Sequence, residues 1–356
     1  MGLTVLSVAY PLAAVGPDAV GGAEQVLTSL DEALVDAGHR SLVIACEGSA
    51  TRGRLLATPP VRHPFDEEAM QFARHRHRVA IRRAVAAWDV DVVHMHGLDF
   101  DQYLPPEGVP VLATIHLPPS WYPLSVFHLR RPATRLHCVS EAQRLACPPC
   151  AAMLPAIENG VRVPPVNETA QRIFALTIGR ICPEKGFHHA LDAADRAGVP
   201  LVLAGHVFPY EAHEAYFREE IAPRLHDPHR FAGPAGRAQK ERLYAEAICV
   251  LIPSLVPETS SLVALEAMAA GTPVIAYAQG ALPEIVQHGR TGFLVRDVDG
   301  MAQAIRRAGE IDPEECRRAV RERYSIERMV SRYFEVYRQC CMWNNRAVSS
   351  RSAGSG

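Results

Sequence analysis

No stretch of this sequence reaches the ~18 consecutive apolar residues that a membrane span requires, so no crossing helix is expected. The first residues, Met1-Gly2-Leu3-Thr4, lack the charged region and cleavage site of a secretory signal and lead straight into a strand-like run. An excess of one charge is missing too. With 37 Lys and Arg against 39 Asp and Glu, the net charge of −2 gives no reason to expect nucleic acid or another polyanion as partner, although local basic patches remain open. The nine cysteines are scattered and odd in number, which suits reduced thiols in a cytoplasmic protein better than a disulfide framework. The one Cys-x-x-Cys pair, Cys147-Pro-Pro-Cys150, has no second such pair beside it and is stiffened by two prolines, so a loop is expected there rather than a zinc or redox site.

What the sequence does contain is enough chain for two domains: 356 residues, 48% of them hydrophobic. Apolar runs alternate with helical patterns, as parallel strands with crossover helices require. Strands are expected at Thr4–Ala9, Ser41–Ala45, Val90–His94, Val111–His116 and Arg135–Val139, and again at Ile173–Ile178, Leu201–Ala204, Ile248–Ile252 and Pro273–Tyr277. Two successive sets imply two doubly wound α/β domains. The turn-forming stretch Asn159-Gly160-Val161-Arg162-Val163-Pro164-Pro165 separates them, giving domains at 1–163 and 164–325. A helix over 326–339 is expected to pack back on the first domain, and the small, polar tail 340–356 to be disordered. Ligands of such sheets sit outside the carboxyl ends of the strands, so the expected ligand position is a cleft between facing domains.

The chemistry concentrates at Leu251 to Ala276. Glu258 falls in the loop after one strand, and Glu266 lies about one turn inside an Ala-rich helix that begins near Ser261, whose hydroxyl suits a cap. Free N–H groups at that helix start favour an anion such as phosphate. Two acids flanking an anion site suggest a ligand with both phosphates and hydroxyls. Arg180 and Lys185, in the loop after the second domain's opening strand, are suited to neutralise a diphosphate without a metal, and otherwise are two solvated cations. Gly21-Gly22-Ala23-Glu24, between the first strand and helix, lets backbone approach a phosphate or sugar but does not match the dinucleotide Gly-x-Gly-x-x-Gly spacing. His116 closes a strand and is either a hydrogen-bond donor to a ligand or a structural histidine. His94-Met95-His96 looks like a two-ligand metal strand, yet no third ligand stands at helpful spacing. The basic run Arg74-His75-Arg76-His77-Arg78 with Arg82-Arg83 is either a solvated helix face or a surface that rests on an anionic bilayer.

Taken together, these motifs resemble the retaining glycosyltransferases of family 4. The resemblance rests on Glu258-x7-Glu266 with Ala-Met-Ala-Ala-Gly-Thr-Pro-Val-Ile after it, on Gly179-Arg180 to Lys185-Gly186, and on Gly21-Gly22-Ala23-Glu24. Asp91 to Gly97, Val139-Ser140, Asn159-Gly160-Val161, Ala204-Gly205, and Gly280-Ala281-Leu282-Pro283-Glu284 with Gly289 to Gly292 follow in the family's order, so it covers the chain to about Gln339. It implies the GT-B fold and transfer of a sugar, with retention, from a nucleotide-diphosphate sugar to a sugar, lipid-linked or small-molecule acceptor. No metal or other cofactor is implied. Arg180 and Lys185 would hold the diphosphate, Glu258 the sugar hydroxyls and Glu266 the ribose. Ser260, Ser261 and Leu262 would offer backbone N–H groups, Gly22 would approach the phosphate, and His116 would sit by the donor sugar. Retention would proceed by front-face attack, with the leaving phosphate assisting proton removal from the acceptor.

One departure stands out. Thr259-Ser260-Ser261 occupies the gap where the family usually places an aromatic and a glycine or proline, which bears on the choice of sugar; Gly280-Ala281 stands where two glycines are common. A nucleotide-sugar epimerase of the same fold, or a non-catalytic nucleotide-sugar-binding subunit, would share the donor motifs. The aromatic loop Leu117-Pro118-Pro119-Ser120-Trp121-Tyr122 offers surface for an acceptor.

Overall fold

The computed structural model describes residues 2–61, 66–165 and 171–352, the side chains of 343–352 excepted. The chain divides into two units, Met1–Glu158 with Met329–Gly356, and Asn159–Arg328.

Unit 1 holds a six-stranded parallel sheet of β1 (Thr4–Val8), β2 (Arg40–Cys46), β3 (Arg54–Thr58), β4 (Val92–Met95), β5 (Val111–Ile115) and β6 (Thr134–Cys138), in the order β3-β2-β1-β4-β5-β6. All five residues of β1 and of β5 are buried, as expected of central strands covered on both faces. Its helices are α1 (Gly22–Asp36), α2 (Glu67–Ala87) and α3 (Glu141–Ala146). Helix α1 buries Val26, Leu27, Leu30 and Leu34, one stripe at helical spacing. Asp66 caps α2 through the Ala69 N–H at 2.8 Å, and Ser140 caps α3.

Unit 2 holds β7 (Phe174–Arg180), β8 (Leu201–His206), β9 (Arg230–Gly233), β10 (Ala247–Ile252), β11 (Val274–Tyr277) and β12 (Gly292–Val295), in the order β12-β11-β10-β7-β8-β9, again all parallel. Helices α4 (Phe187–Ala197), α5 (Glu211–Tyr216), α6 (Arg237–Glu246), α7 (Leu262–Ala269), α8 (Leu282–Ile285), α9 (Val298–Arg306) and α10 (Pro313–Arg323) accompany it. Helix α4 packs on α9, and α7 on α10. The returning chain is stitched to the outgoing one: the Val161 N–H donates to the Tyr324 carbonyl at 2.9 Å, and the Ile326 N–H to the Val161 carbonyl at 3.1 Å. Helix α11 (Ile326–Ser352) follows.

Both sheets thus repeat one strand order, each with its reversal between the first and fourth strands, β1 beside β4 and β7 beside β10. Such switch points open a crevice at the strand carboxyl ends. Every expected strand is present, and three unexpected ones, β3, β9 and β12, all lie at sheet edges. Edge strands are short and half-solvated, so they carry little apolar signal. The tail is a correction. The helix expected to stop at 339 continues to Ser352, its buried stripe Met329, Tyr333, Tyr337 reaching Cys340; residues 353–356 lie outside the described ones.

Helix α11 is tied to unit 1 by buried polar contacts. Tyr337 Oη lies 2.8 Å from His94 Nδ1, and Tyr333 Oη 3.4 Å from Thr114 Oγ1. Arg332 binds the Glu158 carboxylate and the Ala156 carbonyl. Replacing Tyr337 with Phe leaves His94 Nδ1 buried without its partner, so a loss of about 1–3 kcal/mol is expected. Thermal melting reads this as a lowered midpoint, and an unchanged midpoint would show that the bond contributes nothing.

Candidate functional site

A polar constellation of unit 2 forms at its switch point. After Arg180, the exposed last residue of β7, the chain makes a 3-10 turn at Pro183–Lys185 and passes through Gly186. Gly186 has φ +62°, and a Cβ there would stand 2.3 Å from the Pro253 carbonyl oxygen, so the turn can lie against the end of β10 only without a side chain. The Leu255 N–H donates to the Glu184 carbonyl at 2.8 Å, fixing the two loops together. Lys185 then reaches Glu258, Nζ to Oε1 at 2.6 Å, and the Ser254 hydroxyl bonds the same oxygen. The pair is mostly shielded, with side-chain exposures of 27% and 11%, so solvent screens it less than a surface ion pair.

Glu258 is held from a second side. Gly280, at φ +57°, lets its turn approach so closely that a Cβ would meet the Glu258 carbonyl oxygen at 2.3 Å, and the Ala281 N–H donates to that oxygen at 2.8 Å. Beyond it, Ser261 caps α7, its hydroxyl accepting from the Ala264 N–H at 3.3 Å. Of the hydroxyls in Thr259-Ser260-Ser261, this one therefore serves the helix start, whose first residue is Leu262; Ser260 is half-buried. Glu266, further along α7, has partners the sequence did not reveal. Lys240 Nζ lies 3.1 and 3.3 Å from its two oxygens, and the Tyr244 hydroxyl donates at 2.7 Å. Burial and the Glu266 charge hold the Tyr244 phenol well above its ordinary value, so it stays a donor.

In unit 1, Gly22 is the exposed first residue of α1 and Gly21 its N-cap. His116, just after β5, is buried, with Nε2 3.0 Å from His96 Nδ1. The backbone N–H groups of His116 and Leu117 donate to Tyr122 Oη at 3.1 and 3.3 Å. Tyr122 is thus turned inward to brace this loop, a correction to its expected part in an acceptor surface; Trp121 remains exposed. His94 and His96 both meet partners within unit 1. His94 is taken up by Tyr337 and by Thr114 (Nε2 to Oγ1, 2.7 Å), while Thr114 also meets His137 at 2.7 Å. Four buried imidazoles, His94, His96, His116 and His137, thus gather at the ends of β4, β5 and β6, a juxtaposition invisible to sequence spacing.

Cys147 faces Cys138, sulfur to sulfur at 3.4 Å, and all nine cysteines are free thiols. The basic run on α2 is partly consumed: Arg74 bonds Asp99 at 2.8 Å, Arg78 the Gln102 carbonyl, and His77 is buried. His75, Arg76, Arg82 and Arg83 stay exposed. Among the described residues no helix is long and apolar enough to cross a membrane.

Two parallel sheets of identical order in one chain, each with polar side chains at its switch point, define the GT-B class of fold. Known proteins agree. A glycosyltransferase involved in avilamycin A biosynthesis superimposes with a TM-score of 0.71 at 26% identity, over 96% of this chain and 98% of that one. Anabaena Alr3699/HepE, solved with UDP and glucose, shares the fold with a TM-score of 0.73 at 18% identity, over 94% and 99%. Residues 20–148 match Glycosyltransferase Family 4, and residues 163–325 match Glycosyl transferases group 1. Together these matches support a glycosyltransferase of the family 4 type. Among curated relatives, the D-inositol 3-phosphate glycosyltransferase of Streptomyces scabiei is 44% identical over 88 residues, 24% of this chain and 20% of that protein. That of Mycolicibacterium smegmatis is 32% identical over 181 residues, 47% and 42%. The matches therefore span less than half of these relatives' own length.

Burial, reinforced by neighbouring imidazoles for His94, His96 and His116, lowers the four clustered histidines of unit 1: His116 to about 3, His137 to about 4, and His94 and His96 well below their ordinary value. All four are neutral near pH 7, and His116 is a hydrogen-bonding imidazole rather than a cation. The unfolded chain takes up these protons near pH 6.5 while the folded one does not, so stability is full above about 6.5 and falls as the pH drops towards 4. Melting at about pH 7.5 and about pH 5 should give a lower midpoint at the acid value, each imidazole contributing up to about 1.4 kcal/mol per pH unit. A midpoint that is flat across this range contradicts the neutral cluster.

Proposed function

We propose that the protein transfers a sugar from a nucleotide-diphosphate sugar to an acceptor hydroxyl, with retention and without a metal. The observation that carries this is the Lys185–Glu258–Ser254 junction at the β7/β10 switch point, beside the capped start of α7. In this reading Arg180 and Lys185 stabilise the departing diphosphate as charge accumulates on it. An ammonium has three donors, so Lys185 can keep Glu258 and still serve a phosphate. Glu258 meets the hydroxyls of the donor sugar. Glu266, steadied by Lys240 and Tyr244, accepts from the ribose hydroxyls. Ser260, Ser261 and Leu262 supply N–H groups at a helix start, where the macrodipole favours an anion.

The same reading gives unit 1 two contributions, the bare backbone at Gly22 and the neutral imidazole of His116 as a hydrogen-bonding partner of the donor sugar. Positioning and charge stabilisation then supply most of the catalysis. UDP held by the Anabaena relative supports a nucleoside diphosphate as one product. A sugar, lipid-linked or small-molecule acceptor fits this reaction. The exposed His75, Arg76, Arg82 and Arg83 of α2 are where a peripheral contact with the inner face of a membrane would run.

Calorimetric titration with UDP, GDP and ADP sugars, EDTA being present throughout, tests the donor site. Saturable binding of one donor is expected, with loss in Lys185→Ala; no binding to the folded protein would remove the reading. In Glu258→Gln, transfer should fall by about 100-fold or more while the melting midpoint changes little. Near-normal turnover in that variant would sink the role assigned to Glu258. The anomeric configuration of the product, read by NMR, decides retention, and an epimerised donor formed without acceptor would point to the other enzyme class.

A further inference from the structure

The turn after β7 carries a second cluster that the donor reading does not use. Cys182 opens that turn, Glu184 lies within it, and His213 stands on α5, which packs against it. The Cys182 sulfur, a Glu184 carboxylate oxygen and a His213 ring nitrogen all lie within 4.8 Å of one another. We propose that Cys182, Glu184 and His213 form a binding site for a zinc-class divalent cation, which joins the β7 turn to α5.

The donor set argues for the ion. Sulfur with imidazole selects a borderline-soft metal of the zinc type over magnesium or calcium, which take oxygen ligands. Thiolate and carboxylate together carry two negative charges, which neutralise a dication. Three protein ligands with a fourth position left to water is a common zinc arrangement. By the usual zinc bond lengths, tetrahedral ligand atoms stand about 3.3–3.7 Å apart, so the side chains need to close by roughly an ångström.

An independent sign comes from His213. Its Nδ1 is shut off from solvent and has no hydrogen-bond partner among the described residues, a costly state for a buried polar atom. Phe208 and Tyr210 pack edge-on against its ring, limiting where the imidazole can turn. The Cys182 thiol donates to the Arg180 carbonyl oxygen at 3.7 Å and so carries a proton. On binding, the S–H bond breaks, its proton leaves to solvent and a metal–sulfur bond forms; no electron changes hands.

The test is titration of EDTA-treated, desalted full-length protein with Co²⁺, followed by absorption, then displacement with Zn²⁺. One Co²⁺ per chain is expected, with a thiolate-to-cobalt charge-transfer band that Zn²⁺ removes. Cys182→Ser should abolish the band. Glu184→Gln changes an exposed side chain and His213→Ala a partly exposed one; each should weaken binding at least about tenfold, since losing even an outer-shell partner costs about that much. Absence of the band in folded wild-type protein overturns the proposal, as does unchanged affinity in both Glu184→Gln and His213→Ala. The spectrum is independent of nucleotide, so its failure and that of the donor reading are separable.

Discussion

Unit 2 depends on one constraint, the adjacency of β7 and β10. Their connections to β8 and β11 lead away in opposite directions, and right-handed crossovers place the following helices on opposite faces of the sheet. The two loops at the carboxyl ends are therefore left side by side. For the turn after β7 to close against β10, position 186 must lack a side chain, because the Pro253 carbonyl occupies the space a Cβ would fill. That backbone approach puts Lys185 within 2.6 Å of Glu258, and the Gly280-Ala281 turn presses Glu258 from beyond. The ion pair follows from packing of backbone, and so does the clustering of Cys182 and Glu184 on the same turn.

Unit 1 repeats the topology and fills it differently. At the ends of β4, β5 and β6 stand four buried imidazoles where unit 2 has an ion pair, and desolvation keeps them uncharged. Neutral histidines can be close-packed, as His94 and His96 are at 3.9 Å between ring centres, whereas two imidazolium ions at that distance would repel strongly. The phenols of α11 complete the network, so a helix from the far end of the sequence helps to keep the histidines in place. One strand order thus supports a charged site in one unit and an uncharged hydrogen-bonded one in the other.

Three of the polar clusters of unit 2 lie on few elements. The turn after β7 supplies Lys185 to Glu258 and Cys182 and Glu184 to His213, while α6 supplies Lys240 and Tyr244 to Glu266. Helix α7 therefore carries a carboxylate oriented from outside its own loop. Orientation of this kind matters for any ligand that reads hydroxyl positions, since a carboxylate with fixed partners presents its remaining lone pairs in one direction.

Central strands, the helices between them and the two-domain division were legible in the sequence, because buried parallel strands are nearly continuous apolar runs. So were the positions of Arg180 at a strand end, Lys185 and Glu258 in the loops that follow strands, and Glu266 on a helix, since such positions are fixed by local pattern. Edge strands β3, β9 and β12 were not, being half-solvated, and the helical tail was hidden by its polar composition. Whatever depends on contact between distant segments was decided by tertiary structure alone: His96 against His116, Tyr337 on His94, Lys240 on Glu266 and His213 beside Cys182. Periodicity records which face of an element meets the core, but only the folded chain sets which side chains from separate elements share the low-dielectric space where their hydrogen bonds and charges count.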